Sequence, residues 1–345
     1  MVYALESLIK IFVVLAAIMT TVAYTVLAER KISGFIQNRL GPNRVGPWGL
    51  LQPVADGLKF LFKEDVIPGQ ANRVVYLMAP AAILIPALMG FAVVPFGDTL
   101  NLSGYDIQLQ VADLNIGVLY ILALASLGVY GIVLAGWAAN NKYALLGGLR
   151  ASAQMISYEL SLGLSLIGVL MVSESLRLND VVTMQANHSL LGFLPRWNVF
   201  IQPLAFVIFT VAAFAEANRL PFDLPETEQE LVAGYHTEYS SMKFAMFFMA
   251  EYASMITGSA LIVTLFFGGW HVPGLDMSTP TLAKNLLQVL SFSVKTGFFL
   301  FLFIWVRWTL PRFRYDQVMR LGWKILLPLA LINVAVTGVV LALAA

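Results

Sequence analysis

The 345-residue sequence contains no cysteine and only three histidines, His188, His236 and His271. Without cysteine the chain forms no disulfide and holds no thiolate-bound iron–sulphur cluster. None of the histidines lies well inside an apolar run, which argues against a haem held by two axial histidines within a bilayer. Charge is scarce as well, with 12% of residues Asp, Glu, Lys or Arg against 59% hydrophobic. No internal repeat at any period and no inverted halves are visible, which weakens a secondary-transporter reading. Whatever the chain does, it brings no redox metal of its own.

What is abundant is apolar length. The mean hydropathy is +0.78, and runs of about twenty apolar residues match the roughly 30 Å of hydrocarbon that a helix rising about 1.5 Å per residue must cross. The composition predicts an all-α polytopic membrane protein, a single membrane domain over 1–345. Eight spans are expected at about 7–28, 74–96, 115–137, 155–176, 199–217, 242–267, 289–310 and 324–344. The first run, Leu8 to Ala28, is too long for a signal peptide's apolar region and ends in AERK, so it is read as a span. An even number of spans puts both termini on one side. The loops at 29–73, 138–154, 218–241 and 311–323, with the adjoining helix ends, hold sixteen of the twenty-one Lys and Arg. The positive-inside rule places these loops in the cytoplasm or its equivalent.

Within the first inner loop, LLQPVADGLKFLFKE sets Leu50, Leu51, Val54, Leu58, Leu61 and Phe62 against Gln52, Asp56, Lys59 and Lys63. That spacing predicts an amphipathic helix lying in the membrane interface. The preceding GFIQNRLGPNRVGPWG, rich in Gly and Pro and carrying Arg39 and Arg44, reads either as an ordered irregular segment or as a connecting loop. The last inner segment, RWTLPRFRYDQVMRLGWK, carries five cations and one acid, Asp316. Topology and anionic lipid alone account for such a loop.

The acids are less easily placed. Glu159 falls in the first turns of the fourth expected span, Glu216 in the last turn of the fifth, and Glu251 about 14 Å along the sixth. A charged side chain at mid-bilayer costs upward of about 2.5 kcal/mol, so such residues face protein or water and mark ion or proton paths by default; Glu159 and Glu216 also lie near enough to the interface to be solvated. Between spans five and six, EANRLPFDLPETEQELVAGY adds Asp223, Glu226, Glu228 and Glu230, with Arg219 as the lone cation. Asp223 followed by Glu226 fits an N-cap and its capping-box partner. On the helix this would start, Glu226 and Glu230 repel one another. Leu220, Phe222, Leu224, Leu231 and Val232 suit a loop folded back onto the bundle, where clustered carboxylates titrate as a coupled set. Such a set serves either as a proton relay or as a charged rim for a basic partner.

Three segments, GFIQNRLGPNRVG, PFDLPETEQELVAGY and LPRFRYDQVMRLGWK, resemble in order the signature segments of the H-subunit family of proton-pumping NADH:quinone oxidoreductase, respiratory complex I (subunit 1 in mitochondria). The likeness runs from the first expected span to the eighth. One departure is visible: Thr227 stands where the family usually has a small residue. The resemblance implies an eight-span component of an H⁺-translocating enzyme in a bacterial or mitochondrial inner membrane, housing the quinone entrance and tunnel. It implies a proton relay at Tyr158, Glu159, Glu216, Asp223, Glu226, Glu228, Glu230 and Glu251, and a quinone chamber at Glu29, Arg30, Arg39, Asp56, Lys59 and Arg312. Quinone (ubiquinone or menaquinone) would be the substrate, with no metal, flavin or iron–sulphur cluster on this chain. Implied partners are the hydrophilic-arm subunits, including the one carrying the terminal iron–sulphur cluster, the small and antiporter-like membrane subunits, and lipid; no nucleic acid is expected. The competing readings are the homologous anchor of a membrane-bound hydrogenase-type complex, an ion-coupled transporter and a purely structural anchor.

Overall fold

The computed structural model describes residues 2–102, 105–187, 189–190, 194–225, 231–274 and 281–344. Twelve α-helices are described, numbered here in chain order: α1 Val2–Ile36, α2 Gln52–Phe62, α3 Arg73–Met89, α4 Gly117–Ala138, α5 Lys142–Ser173, α6 Leu178–Asn187, α7 Asn198–Ile201, α8 Pro203–Glu216, α9 Ser241–Phe266, α10 Leu282–Thr309, α11 Tyr315–Leu321 and α12 Leu327–Ala344. A π-helical turn, Gly322–Leu326, joins the last two. The chain is nearly all helical. Two short antiparallel hairpins interrupt it, β1 Thr99–Leu102 with β2 Tyr105–Gln108, and β3 Ser189–Leu190 with β4 Leu194–Pro195.

Seven helices among the described residues are long and apolar enough to cross a membrane: α1, α3 with its extension to Val93, α4, α5, α9, α10, and α11 running through the π turn into α12. At the fifth expected span, 199–217, the helix is broken. Gln202 leaves helical geometry before Pro203, and α8 keeps only 14 residues, about 21 Å of rise. Pro203 removes a backbone donor at this point. The Gln202 side chain turns instead to the last helix, donating to Thr337 Oγ1 at 2.9 Å and accepting from Asn333 Nδ2 at 3.0 Å. An interhelical amide bond of this kind ties α12 to α8 where lipid offers no competing partner.

Two other boundaries differ from the expected ones. The helix α1 continues seven residues past Glu29, so Glu29 and Arg30 sit on a rigid rod. The expected loop 138–154 is largely helix, because Asn141 Oδ1 caps the amide of Tyr143 at 2.9 Å and starts α5 at Lys142.

The most deeply buried of the long helices is α9, which packs on α1, α3, α8 and α10. Beyond its C-terminal end, Lys295 of α10 donates to the carbonyls of Phe267, Gly269 and His271 at 3.0, 3.0 and 2.8 Å, which compensates acceptors left over where the helix stops. At the other end the chain leaving α8 folds inward. Gln154, on the buried face of α5, donates to Ala215 O and Phe222 O at 2.8 Å each, so one amide fixes both the end of α8 and the segment after it. Phe222, Leu224, Leu231 and Tyr235 are buried.

Candidate functional site

The site assembles where α1, α8, α9 and α10 meet this inward segment. Glu29, only 6% exposed, accepts from three donors: Arg219 Nη1 at 3.1 and 3.3 Å, Tyr252 Oη at 2.8 Å and Arg307 Nη1 at 2.5 Å. Arg219, 2% exposed, stacks its guanidinium 4.1 Å over the Tyr252 ring and sets Nε 2.5 Å from Glu251 Oε1. A buried charge requires partners of this quality. Burial alone would lower the proton affinity of Arg219, but Glu251, Tyr252 and Glu29 outweigh it and hold the guanidinium above its ordinary pKa. Arg219 is therefore a fixed positive charge.

Two cavities lie on either side of this residue. One, of about 690 Å³, is lined by Val22, Glu29, Arg30, Phe248, Tyr252 and Arg307 among others, a size and lining typical of small-molecule sites. The other, of about 90 Å³, is lined by Glu216, Glu251, Asn218, Tyr235 and Thr257 in a mostly apolar wall drawn from α3, α4, α5, α8 and α9. Successive helical residues point about 100° apart. Consequently Tyr252 faces the larger cavity and its neighbour Glu251 the smaller.

The residues singled out from sequence fall into distinct places. Arg30 pairs with Asp56 of α2 at 2.6 Å, and Gln52 donates to the other oxygen of Asp56 at 3.1 Å; Arg30, Asp56 and Arg39 line the larger cavity with Glu29. Lys59 is exposed on α2. Arg312 and Asp223 pair with one another at 2.6 Å. Glu216 and Glu251 share the smaller cavity, while Glu159 bonds to Ser126 across the α4–α5 contact. Tyr158 is fully buried, with its hydroxyl donating to Val318 O at 2.9 Å, which commits it to holding α11 and keeps it out of both cavity linings. Glu226, Glu228 and Glu230, with the capping helix expected there, lie outside the described residues. Among the described residues no three Asp, Glu or His side chains gather to hold a metal ion.

The contacts of Arg219, Arg307 and Tyr252 were not anticipated from sequence. The one available signal is Arg219 itself, the single cation in an acidic run.

Residues 9–338 match the family model described as NADH dehydrogenase. The chain belongs to the NADH dehydrogenase family. It is 54% identical to an NADH-quinone oxidoreductase H subunit of Geobacter sulfurreducens, over 99% of this chain and 97% of that protein. It is 53% identical to the H subunit of Thermomicrobium roseum, over 95% and 94%, and 49% identical to the H subunit of Flavobacterium johnsoniae, over 98% and 96%. Across this family, then, the relatives of this chain share its sequence over nearly their full length.

Proposed function

We propose that this chain is the H subunit of an H⁺-translocating NADH:quinone oxidoreductase, forming the quinone entrance and tunnel and coupling quinone reduction to proton movement through its carboxylates. The relatives named above carry that activity in their names. The observation that carries the mechanistic part is the pair of cavities meeting at Arg219. The larger is amphipathic, with apolar walls for a prenyl tail and Arg30, Arg39 and Arg307 for a headgroup that gains charge on reduction. The smaller places two carboxylates in a wall with room for several waters.

In this reading α8 serves as a short eighth span and α2 lies in the membrane interface, Lys59 and the exposed Phe62 at its surface. The Lys- and Arg-rich loops face the cytoplasm or matrix, and both termini the opposite side. The exposed apolar faces of α1 and α12 meet lipid and the other membrane subunits, including the antiporter-like ones. The hydrophilic-arm partner with the terminal iron–sulphur cluster sits over the larger cavity and supplies the electrons. Asp223, Glu226, Glu228 and Glu230 extend the relay of Glu159, Glu216 and Glu251 toward the loop. Reduction adds charge near Glu29, the carboxylates redistribute protons as a coupled set, and the neighbouring subunits respond.

The test uses the purified complex in proteoliposomes. Glu216→Gln and Glu251→Gln should each assemble and keep NADH oxidation by an artificial acceptor, while protons moved per quinone reduced fall by more than half. Wild-type stoichiometry in both variants overturns the relay.

A further inference from the structure

We propose that Arg219 is the switching charge between the two cavities: one guanidinium shared by Glu29 and Glu251, so that a change of charge at Glu29 alters how firmly Arg219 holds Glu251. The inference rests on the proposed function for its biological meaning, though its physical content does not need turnover. Arg219 touches no reacting atom and is a positioning residue.

Three observations carry it. First, the guanidinium is unevenly committed. Its Nη1 donates to both oxygens of Glu29, whereas Nε lies 2.5 Å from Glu251 Oε1 without an aligned hydrogen bond, and Nη2 has no hydrogen-bond partner among the described residues. A guanidinium has five donors in a rigid fork, so a small rotation toward Glu251 exchanges one set of bonds for another. Second, Glu29 is over-supplied. It keeps Arg307 and Tyr252 when Arg219 turns away. Third, the Tyr252 ring lies under the guanidinium and offers the same face in both positions.

The other charges in this region are Arg307 on the chamber side and Asp223, which acts on Glu251 electrostatically and is itself paired with Arg312. Neither lies between Glu29 and Glu251. With Glu29 ionised, Arg219 is divided. Once Glu29 is neutralised or captured by a ligand, Arg219 goes over to Glu251 and favours its ionised form. Linkage makes the effect reciprocal, so the protonation of Glu251 also sets the charge presented to the chamber.

The experiment is infrared spectroscopy of the purified, oxidised, quinone-free complex at fixed neutral pH. The carboxylic C=O band of Glu251 is identified by its loss in Glu251→Gln. Removing the shared cation in Arg219→Gln should raise the protonated-to-ionised ratio of Glu251 about tenfold, and removing the competing carboxylate in Glu29→Gln should lower it. Opposite signs are required, since general loosening would move both the same way. Arg219→Lys, a compact charge that serves one partner at a time, should fall between Arg219→Gln and wild type. Changes of the same sign, or no change in either variant, overturn the proposal. If Arg219→Gln fails to assemble, Glu29→Gln decides: a band that fails to weaken overturns it. Loss of proton translocation in Glu251→Gln together with an unmoved band in Glu29→Gln and Arg219→Gln removes Arg219's role and leaves the proposed function standing. Full translocation in Glu216→Gln and Glu251→Gln removes that function, and the band shifts still judge Arg219.

Discussion

Arg312 Nη2 donates to Asp223 Oδ2 at 2.6 Å, joining the segment after α8 to the segment before α11. The neighbouring residues repeat the join: Phe313 N donates to Pro221 O at 3.1 Å, and the Phe222 and Phe313 rings lie 5.5 Å apart. Asp223 is buried and Arg312 half-buried. Removing Arg312 leaves a buried carboxylate without its cation, which costs on the order of 2–3 kcal/mol where solvent reaches part of the pair. Arg312→Met should therefore speed hydrogen exchange at the amides of Phe222 and Leu224 by roughly 30- to 150-fold. Unchanged exchange there would show that the aromatic and backbone contacts hold the segment alone.

His236 gives the same region a pH dependence. Its ring packs 5.0 Å from Tyr235 and 5.3 Å from Phe244, and burial pushes its pKa down to about 4 from the ordinary 6.5. The unfolded chain binds this proton more readily than the folded one between those values. Stability is therefore complete above about pH 6.5 and falls as pH drops toward 4, by up to about 3 kcal/mol. Thermal melts of the complex should show wild type losing ground to His236→Phe across that window. A difference between the two that stays constant with pH would refute the assignment.

Close backbone approach fixes the turn that carries His236. A Cβ added at Gly147 of α5 would sit 2.7 Å from Gly234 Cα and 2.9 Å from Tyr235 N. Backbone cannot yield as a flexible side chain does, so Gly147→Ala should cost at least about 1–3 kcal/mol through overpacking. The expected readout is a lower melting temperature or poor assembly of the complex. Wild-type stability in Gly147→Ala would mean that α5 and the turn sit further apart than 2.7 Å allows.

How much of this was legible in the sequence depends on what each residue answers to. The long helices were readable because hydrocarbon imposes its own length on apolar runs, and α1, α4, α9 and α10 cover the expected stretches. The start of α5 was not, since RASAQ looks like loop; its polarity serves tertiary contacts, above all those of Gln154 to the chain after α8. The break at Gln202 likewise depends on Asn333 and Thr337, more than a hundred positions away. Acids such as Glu216 and Glu251 stood out because charge is rare in such a chain, and they do share a cavity. Tyr158 was grouped with Glu159 by adjacency, but consecutive helical positions diverge by about 100°, and its hydroxyl is spent on Val318. The junction at Arg219 was beyond sequence reasoning because Glu29, Glu251, Tyr252 and Arg307 converge only through the fold.

The smaller cavity offers a test that changes no charge. Gly258 lines it beside Glu251 and Thr257, and a Cβ there meets none of the described atoms within 4 Å. Gly258→Ala should fit, and in a helix interior it should be neutral to mildly stabilising, by up to about 1 kcal/mol. Gly258→Leu projects into a space of about 90 Å³ and displaces water that would otherwise bridge Glu216 and Glu251. If protons pass through this space, the leucine variant should lose more than half of the protons moved per quinone reduced, while oxidation of NADH by an artificial acceptor reports intact assembly. The alanine variant should stay within a quarter of wild type, roughly 0.2 kcal/mol in barrier terms. A leucine variant that assembles and pumps at the wild-type ratio would show that the proton path runs elsewhere, for example along Glu159 and Ser126 at the α4–α5 contact.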